Sequence, residues 1–105
     1  PTDNYGYPSK INFGKEGGTK ICSGRIIVSS ISINDYNGNG IAELTKDEND
    51  TIITKYYWLT AKFKRLVGSE IKIMAEPNTT GKKRTLYVYG PIYNDYVTIK
   101  VTQDK

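Results

Sequence analysis

Between Trp58 and Gln103 apolar and polar residues alternate in four successive segments. Leu59, Ala61 and Phe63 alternate with Thr60, Lys62 and Lys64. Ile71, Ile73 and Ala75 alternate with Lys72 and Met74. Leu86 and Val88 alternate with Thr85, Tyr87 and Tyr89. Val97, Ile99 and Val101 alternate with Tyr96, Thr98, Lys100 and Thr102. A period of two places each apolar set on one face of a strand. Consecutive strands with one dry face each need a second sheet to cover them, which predicts an antiparallel β-sandwich. Gly68-Ser69, Pro77 to Gly81, Gly90-Pro91 and Asn94-Asp95 supply the joints. Pro77 has no N–H to give a ladder, so a strand is expected to stop there. Trp58 opens its segment and is expected to cap one end of the core, since large aromatics bury most of their area.

The N-terminal half is patterned less regularly. Residues 1–9, PTDNYGYPS, show no apolar alternation and predict a flexible N-terminal linker, leaving residues 10–105 as the sandwich domain. Lys10 to Phe13 and Thr19 to Cys22 read as short strands about a Gly17-Gly18 turn. Arg25 to Ile33, RIIVSSISI, reads as a strand whose parity shifts near Ser29-Ser30, through a bulge or a crossing between sheets. Asn34 to Thr54 reads as a turn, a short strand IAEL, an acidic turn and a strand TIIT. No segment predicts a helix. The expected fold is an all-β, immunoglobulin-like antiparallel sandwich of about seven to nine strands.

Several residues carry a resemblance to a known family. They are Trp58-Leu59, Asn78 with Arg84 in EPNTTGKKRTLYV, and the closing Val101-Thr102-Gln103, with INFGKEGGTKI from Ile11 to Ile21 upstream. In order and spacing the chain resembles the BACON domain, the Bacteroidetes-associated carbohydrate-binding, often N-terminal module. It diverges across residues 22–57. The resemblance implies the same sandwich and a non-catalytic module contacting glycan or mucin. It also implies an extracytoplasmic location, in the periplasm or at the cell surface, with a lipid anchor in the precursor.

Composition narrows the chemistry. The chain has 105 residues, the size of one domain, with 37 % hydrophobic content. No stretch approaches the ~18 apolar residues of a membrane-spanning helix. There is no His, so Ser-His and Cys-His catalysis and His metal sites are excluded. No Gly-rich phosphate loop is present. The single Cys22 has no partner for an internal disulfide and reads as a small apolar strand residue. The expectation is therefore no enzyme and no cofactor. The formal charge of +4 suits acidic glycans or surfaces. Two basic clusters, Lys62, Lys64, Arg65 and Lys82, Lys83, Arg84, read as solvated strand faces, so no nucleic acid is expected.

Three motifs bear on a site. DYNGNG from Asp35 to Gly40 resembles half a calcium loop, but Lys46 stands where the bidentate carboxylate belongs, so an Asn-Gly turn and no metal site are expected. The run Asp47-Glu48-Asn49-Asp50 lies on one turn and cannot span a glycosidic bond as a catalytic pair. Tyrosine is the excess, with nine residues. Tyr87, Tyr89 and Tyr96 share outward parity on neighbouring strands and read as cross-strand pairs. Tyr36 and Tyr93 fall on loop tips, where binding residues concentrate, with the Tyr56-Tyr57 pair as a second candidate. These four are the candidate ligand-binding residues, flanked by Asn34, Asp35, Asn37, Asn94 and Asp95. The expected function is a monomeric glycan-contacting module. A structural spacer, or a domain binding a neighbouring module or surface protein, is the alternative.

Overall fold

The computed structural model describes residues 2–41, 45–46, 49–64 and 68–105. Eight strands of three or more residues are present among them: β1 Lys10–Phe13, β2 Gly18–Ser23, β3 Ser32–Asn34, β6 Thr51–Tyr56, β7 Leu59–Lys64, β8 Glu70–Ala75, β9 Arg84–Ile92 and β10 Asp95–Gln103. Two-residue segments, β4 Gly40–Ile41 and β5 Thr45–Lys46, lengthen the edges. The described residues contain no helix. Within the predicted strand IAEL, residues 42–44 lie outside the described residues, as do Arg65 and, from the acidic turn, Asp47 and Glu48.

The strands form two five-stranded sheets, ordered β1-β10-β9-β3-β4 and β2-β8-β7-β6-β5. The segments β10-β9-β3 and β2-β8-β7 take the places of strands G-F-C and B-E-D of an immunoglobulin-type sandwich. The expected fold is thus observed, with one exception to its antiparallel pairing: β1 runs parallel to β10, Lys10 opposite Lys100 and Phe13 opposite Gln103. A hairpin cannot join such a pair, and β1 and β10 are instead the first and last strands.

All nine core residues read from the alternation of β7 to β10 are buried between the sheets: Leu59, Phe63, Ile71, Ile73, Leu86, Val88, Val97, Ile99 and Val101. Trp58 is buried beside them. Register fixes two ends. Leu59 pairs with both Tyr56 and Ala75, and this end also holds Gln103 and Arg84, because the Gln103 amide donates to the Glu76 carbonyl at 2.8 Å. This is the β6–β7 end. Ile92 and Asp95, register partners, mark the opposite, β9–β10 end.

Two readings of the N-terminal half are corrected. The predicted strand Arg25 to Ile33 is strand only from Ser32. The preceding residues cross from the second sheet to the first, the alternative that the parity shift allowed. Their backbone bonds lie outside any ladder: Arg25 N–H donates to the Tyr5 carbonyl at 2.7 Å and Ser29 N–H to the carbonyl of Pro91, near the end of β9, at 3.2 Å. Val28 and Ile31 are nonetheless buried. The segment expected to be a flexible linker is docked on the sandwich from Thr2 to Ser9. Thr2 and Pro8 form a bridge, the Asp3 carboxylate accepts the Tyr5 and Tyr7 N–H groups at 2.8 and 3.0 Å, and Lys100 N–H reaches the Ser9 carbonyl. Tyr7 is fully buried and its hydroxyl donates to the Ile26 carbonyl. Its ring lies where a Cβ on Gly24 would sit, 2.3 Å away, so any larger residue at position 24 would expel it.

Candidate functional site

The β3–β4 loop, residues 35–39, is shaped by its own polar side chains. The Asp35 carboxylate accepts Asn37 and Asn39 N–H, both at 2.9 Å, and Asp35 N–H donates to the Asn39 carbonyl at 2.8 Å. This is an Asx turn, the turn expected of DYNGNG, and it lifts Tyr36 clear of the fold at 85 % exposure. Because Asn34 pairs with Tyr87 and Ser32 with Tyr89, the loop leaves β3 toward the β6–β7 end.

That end also carries Tyr56 and Tyr57. The β6–β7 hairpin turns through Tyr57 and Trp58, between the paired Tyr56 and Leu59. Trp58 turns inward and Tyr57 outward, at 74 % exposure and a positive φ of 51°. The Tyr56 and Tyr57 rings are tilted against each other at 59°, centroids 4.5 Å apart. The Tyr56 hydroxyl is held above its ordinary pKa, chiefly by desolvation and further by Tyr57 and Asp35. The β3–β4 loop and the β6–β7 turn lie at the same end of the sandwich. Tyr36 and the Tyr56–Tyr57 pair are thus displayed at one end.

Tyr93 stands apart. It occupies the two-residue β9–β10 turn at the opposite end, 99 % exposed. Asp95, expected to serve sugar hydroxyls beside it, accepts the Tyr5 hydroxyl at 2.6 Å and Tyr96 N–H at 2.7 Å. Those bonds hold its carboxyl below the usual carboxylate value. Tyr5 was hidden from sequence reasoning by its place in the supposed linker. Tyr87 and Tyr89 stack along the outer face of one strand, β9, with centroids 6.3 Å apart, rather than across strands as expected, and Tyr96 lies opposite Pro91.

The β6–β7 end is braced from within. Gln103 is fully buried, with its amide donating to the Gly14 and Glu76 carbonyls at 3.1 and 2.8 Å and its oxygen accepting Arg84 Nε at 2.8 Å. The Arg84 guanidinium lies 4.6 Å over the Trp58 ring. Asn78, also buried, donates to the Lys82 and Asp104 carbonyls and accepts from Thr80. Trp58, Asn78, Arg84 and Gln103 are all residues on which the resemblance to BACON domains rests. They are engaged with the protein itself.

Of the basic clusters, Lys62 and Lys64 lie on the outer face of the second sheet, while Lys82 and Lys83 are exposed after the β8 strand. Among the described residues no group of three or more carboxylate or thiol side chains is placed to hold a metal ion. Cys22 is buried, and burial raises its thiol pKa, which makes it a poor nucleophile.

Fold and site define an immunoglobulin-like sandwich with tyrosines displayed at one end. The chain is similar to an NMR structure of a protein from Bacteroides thetaiotaomicron, with a TM-score of 0.66 and 18 % identity over 99 % of this chain and 87 % of that one. At that identity the likeness establishes the fold. No family model and no curated protein matches the chain.

Proposed function

We propose that the domain is a non-catalytic, extracytoplasmic module that contacts glycan through Tyr36, Tyr56 and Tyr57. The observation that carries this reading is the placement of all three at the β6–β7 end, two of them largely exposed in turns where no strand pairing calls for a ring. Tyrosine rings offer a flat apolar face for sugar C–H groups and a hydroxyl for sugar hydroxyls. The resemblance to BACON domains supports the ligand class and the location, including a lipid anchor in the precursor. The mutual packing of the residues that carry the resemblance supports it in turn.

An open surface encloses little of a sugar, so the expected affinity is weak. A Kd of ~0.1–1 mM corresponds to about 4–5.5 kcal/mol. A glycan array that includes mucin oligosaccharides, followed by titration, tests the reading. Tyr36→Ala and Tyr57→Ala are expected to weaken binding at least fivefold, and Tyr93→Ala to leave it unchanged. Absence of binding to every mucin and polysaccharide at millimolar ligand would leave a spacer or a protein-interaction domain in its place.

A further inference from the structure

The outer face of the second sheet differs in chemistry from the tyrosine end. Strand parity turns Lys62 and Lys64 of β7, Lys72 of β8 and Ile21 of β2 outward. Lys62 and Lys72 are direct cross-strand partners, which sets like charges side by side. Opposed like charges on a strand pair are unfavourable. Lys64 follows on the same face of the same strand, one strand repeat of ~7 Å further along. Two lysines elsewhere are paired, Lys46 with Asp50 and Lys55 with Glu76, both at 3.2 Å. Lys62, Lys64 and Lys72 form no ion pair among the described residues. Glu70 borders them without closing to ion-pair distance.

The three lysines line a depression of about 710 Å³ together with Thr51, Ser23 and Ile21. A volume of ~300–1,000 Å³ is that of a small-ligand site. Its polar lining supplies hydroxyls, and Ile21, 59 % exposed on the edge strand β2, supplies an apolar rim. Among the described residues of the lining no aromatic ring lies exposed; Phe63 reaches it from the buried core. Single-stranded nucleic acid is held by basic grooves that also stack bases on aromatic rings. Lysine ammoniums act as point charges and suit isolated anionic groups spaced along a chain.

We propose that this lysine-lined face is a second binding surface, for the sulfate or carboxylate groups of an acidic glycan. The proposal rests on the glycan-binding reading for the identity of its ligand, but not for the position of the site. A bound anion removes the repulsion between Lys62 and Lys72 that the bare fold leaves in place. The face then selects acidic chains, while the tyrosine end grips sugar rings irrespective of charge.

The test is a backbone-amide NMR titration of the whole 105-residue chain with a sulfated heparin hexasaccharide, a galacturonate hexasaccharide, inorganic sulfate and uncharged maltohexaose. Signals of Lys62, Lys64, Lys72 and Thr51 are expected to move with the two acidic hexasaccharides and not with maltohexaose. Whichever acidic hexasaccharide binds more tightly identifies the preferred anion, and inorganic sulfate alone is expected to be at least tenfold weaker. The Lys62→Gln/Lys72→Gln variant should lose at least tenfold in affinity. The charge-matched Lys82→Gln/Lys83→Gln variant should lose no more than threefold. Equal losses in both variants, or shifts confined to other surfaces, would overturn the proposal, as would tighter binding of oligothymidylate at the same lysines. Tyr36→Ala/Tyr57→Ala, titrated in parallel, separates the two readings. Failure of the tyrosine site leaves the lysine shifts intact, and failure of the lysine site leaves any uncharged-glycan binding intact.

Discussion

The β9–β10 turn offers a sharp test of how this chain treats its exposed tyrosines. The turn has two central residues, Tyr93 and Asn94, between the paired Ile92 and Asp95. Tyr93 has a φ of 44°, whereas Asn94 keeps a negative one. A positive φ at a central turn residue favours glycine, which has no Cβ to clash there. For a residue with a Cβ, the left-handed region costs about 1–2 kcal/mol. The ring is 99 % exposed, so burial offsets almost none of that cost. Tyr93→Gly relieves the strain but gives the unfolded chain extra freedom, which costs about 0.5–1 kcal/mol. The net expectation is a gain of about 0.5–1 kcal/mol, seen as a melting temperature raised by ~2–8 °C. Tyr93→Ala keeps the strain and should change stability by less than about 0.5 kcal/mol. Urea denaturation reads both variants, with the midpoint moving at constant slope. A glycine variant no more stable than the alanine variant would refute the strain argument. Tyr57→Gly should gain less than Tyr93→Gly, because it also loses the 4.5 Å ring contact with Tyr56.

Other outcomes follow from the core, the turn and the ionisable groups. Ile99→Ala removes a fully buried side chain and should cost ~2–5 kcal/mol in chemical denaturation; no measurable loss would argue against its central place. Gln103→Ala strands the Gly14 and Glu76 carbonyls and Arg84 Nε, and should cost about 2–4 kcal/mol by the same assay. Calcium at sub-millimolar levels should leave the melting temperature unchanged, since Asp35 is committed to its own turn and Lys46 replaces a ligand; a rise abolished by Asp35→Ala would show otherwise. Asp95 has a carboxyl pKa lowered from 3.8, first by the Tyr5 hydroxyl and then by Tyr96 N–H. A lowered carboxyl adds stability above its unfolded pKa, and this is lost as pH falls through the folded value. Tyr5→Phe should therefore move the Asp95 pKa upward toward 3.8 in an NMR titration of its carboxyl.

The strands from β7 to β10 were legible because each has one wet face, so period two was written into Leu59, Ala61, Phe63 and their counterparts. Arg25 to Ile31 shows similar apolar content, yet it buries Val28 and Ile31 without a ladder, its amides bonded to Tyr5 and Pro91 far along the chain. Periodicity reports which residues face inward and is silent on where backbone bonds go. Tyr7 was missed for a related reason. Its burial depends on the gap left by Gly24 and on the Ile26 carbonyl, neither of which PTDNYGYPS announces. For the candidate site, parity and turn residues showed which tyrosines would be exposed. Which end each turn reaches follows from sheet order, and sheet order separates Tyr93 from Tyr36, Tyr56 and Tyr57.

The bracing of the β6–β7 end bears on how the tyrosines are presented. Trp58 and Tyr57 share one two-residue turn, so whatever fixes the tryptophan fixes the tyrosine beside it. Arg84 covers the indole from outside, and its second contact is Gln103, whose remaining amide bonds tie β10 to the Gly14 turn and to Glu76 beyond β8. Glu76 N–H in turn donates to the Trp58 carbonyl at 2.9 Å, and its carboxylate pairs with Lys55 just before Tyr56. The chain of bonds runs from one sheet to the other and returns to the turn that displays Tyr57. A turn backbone held in this way would spare the proposed glycan contact part of the cost of ordering the turn. In the proposed function, the residues resembling the BACON pattern would act through the scaffold, while the surface chemistry would belong to neighbouring tyrosines that the pattern does not specify.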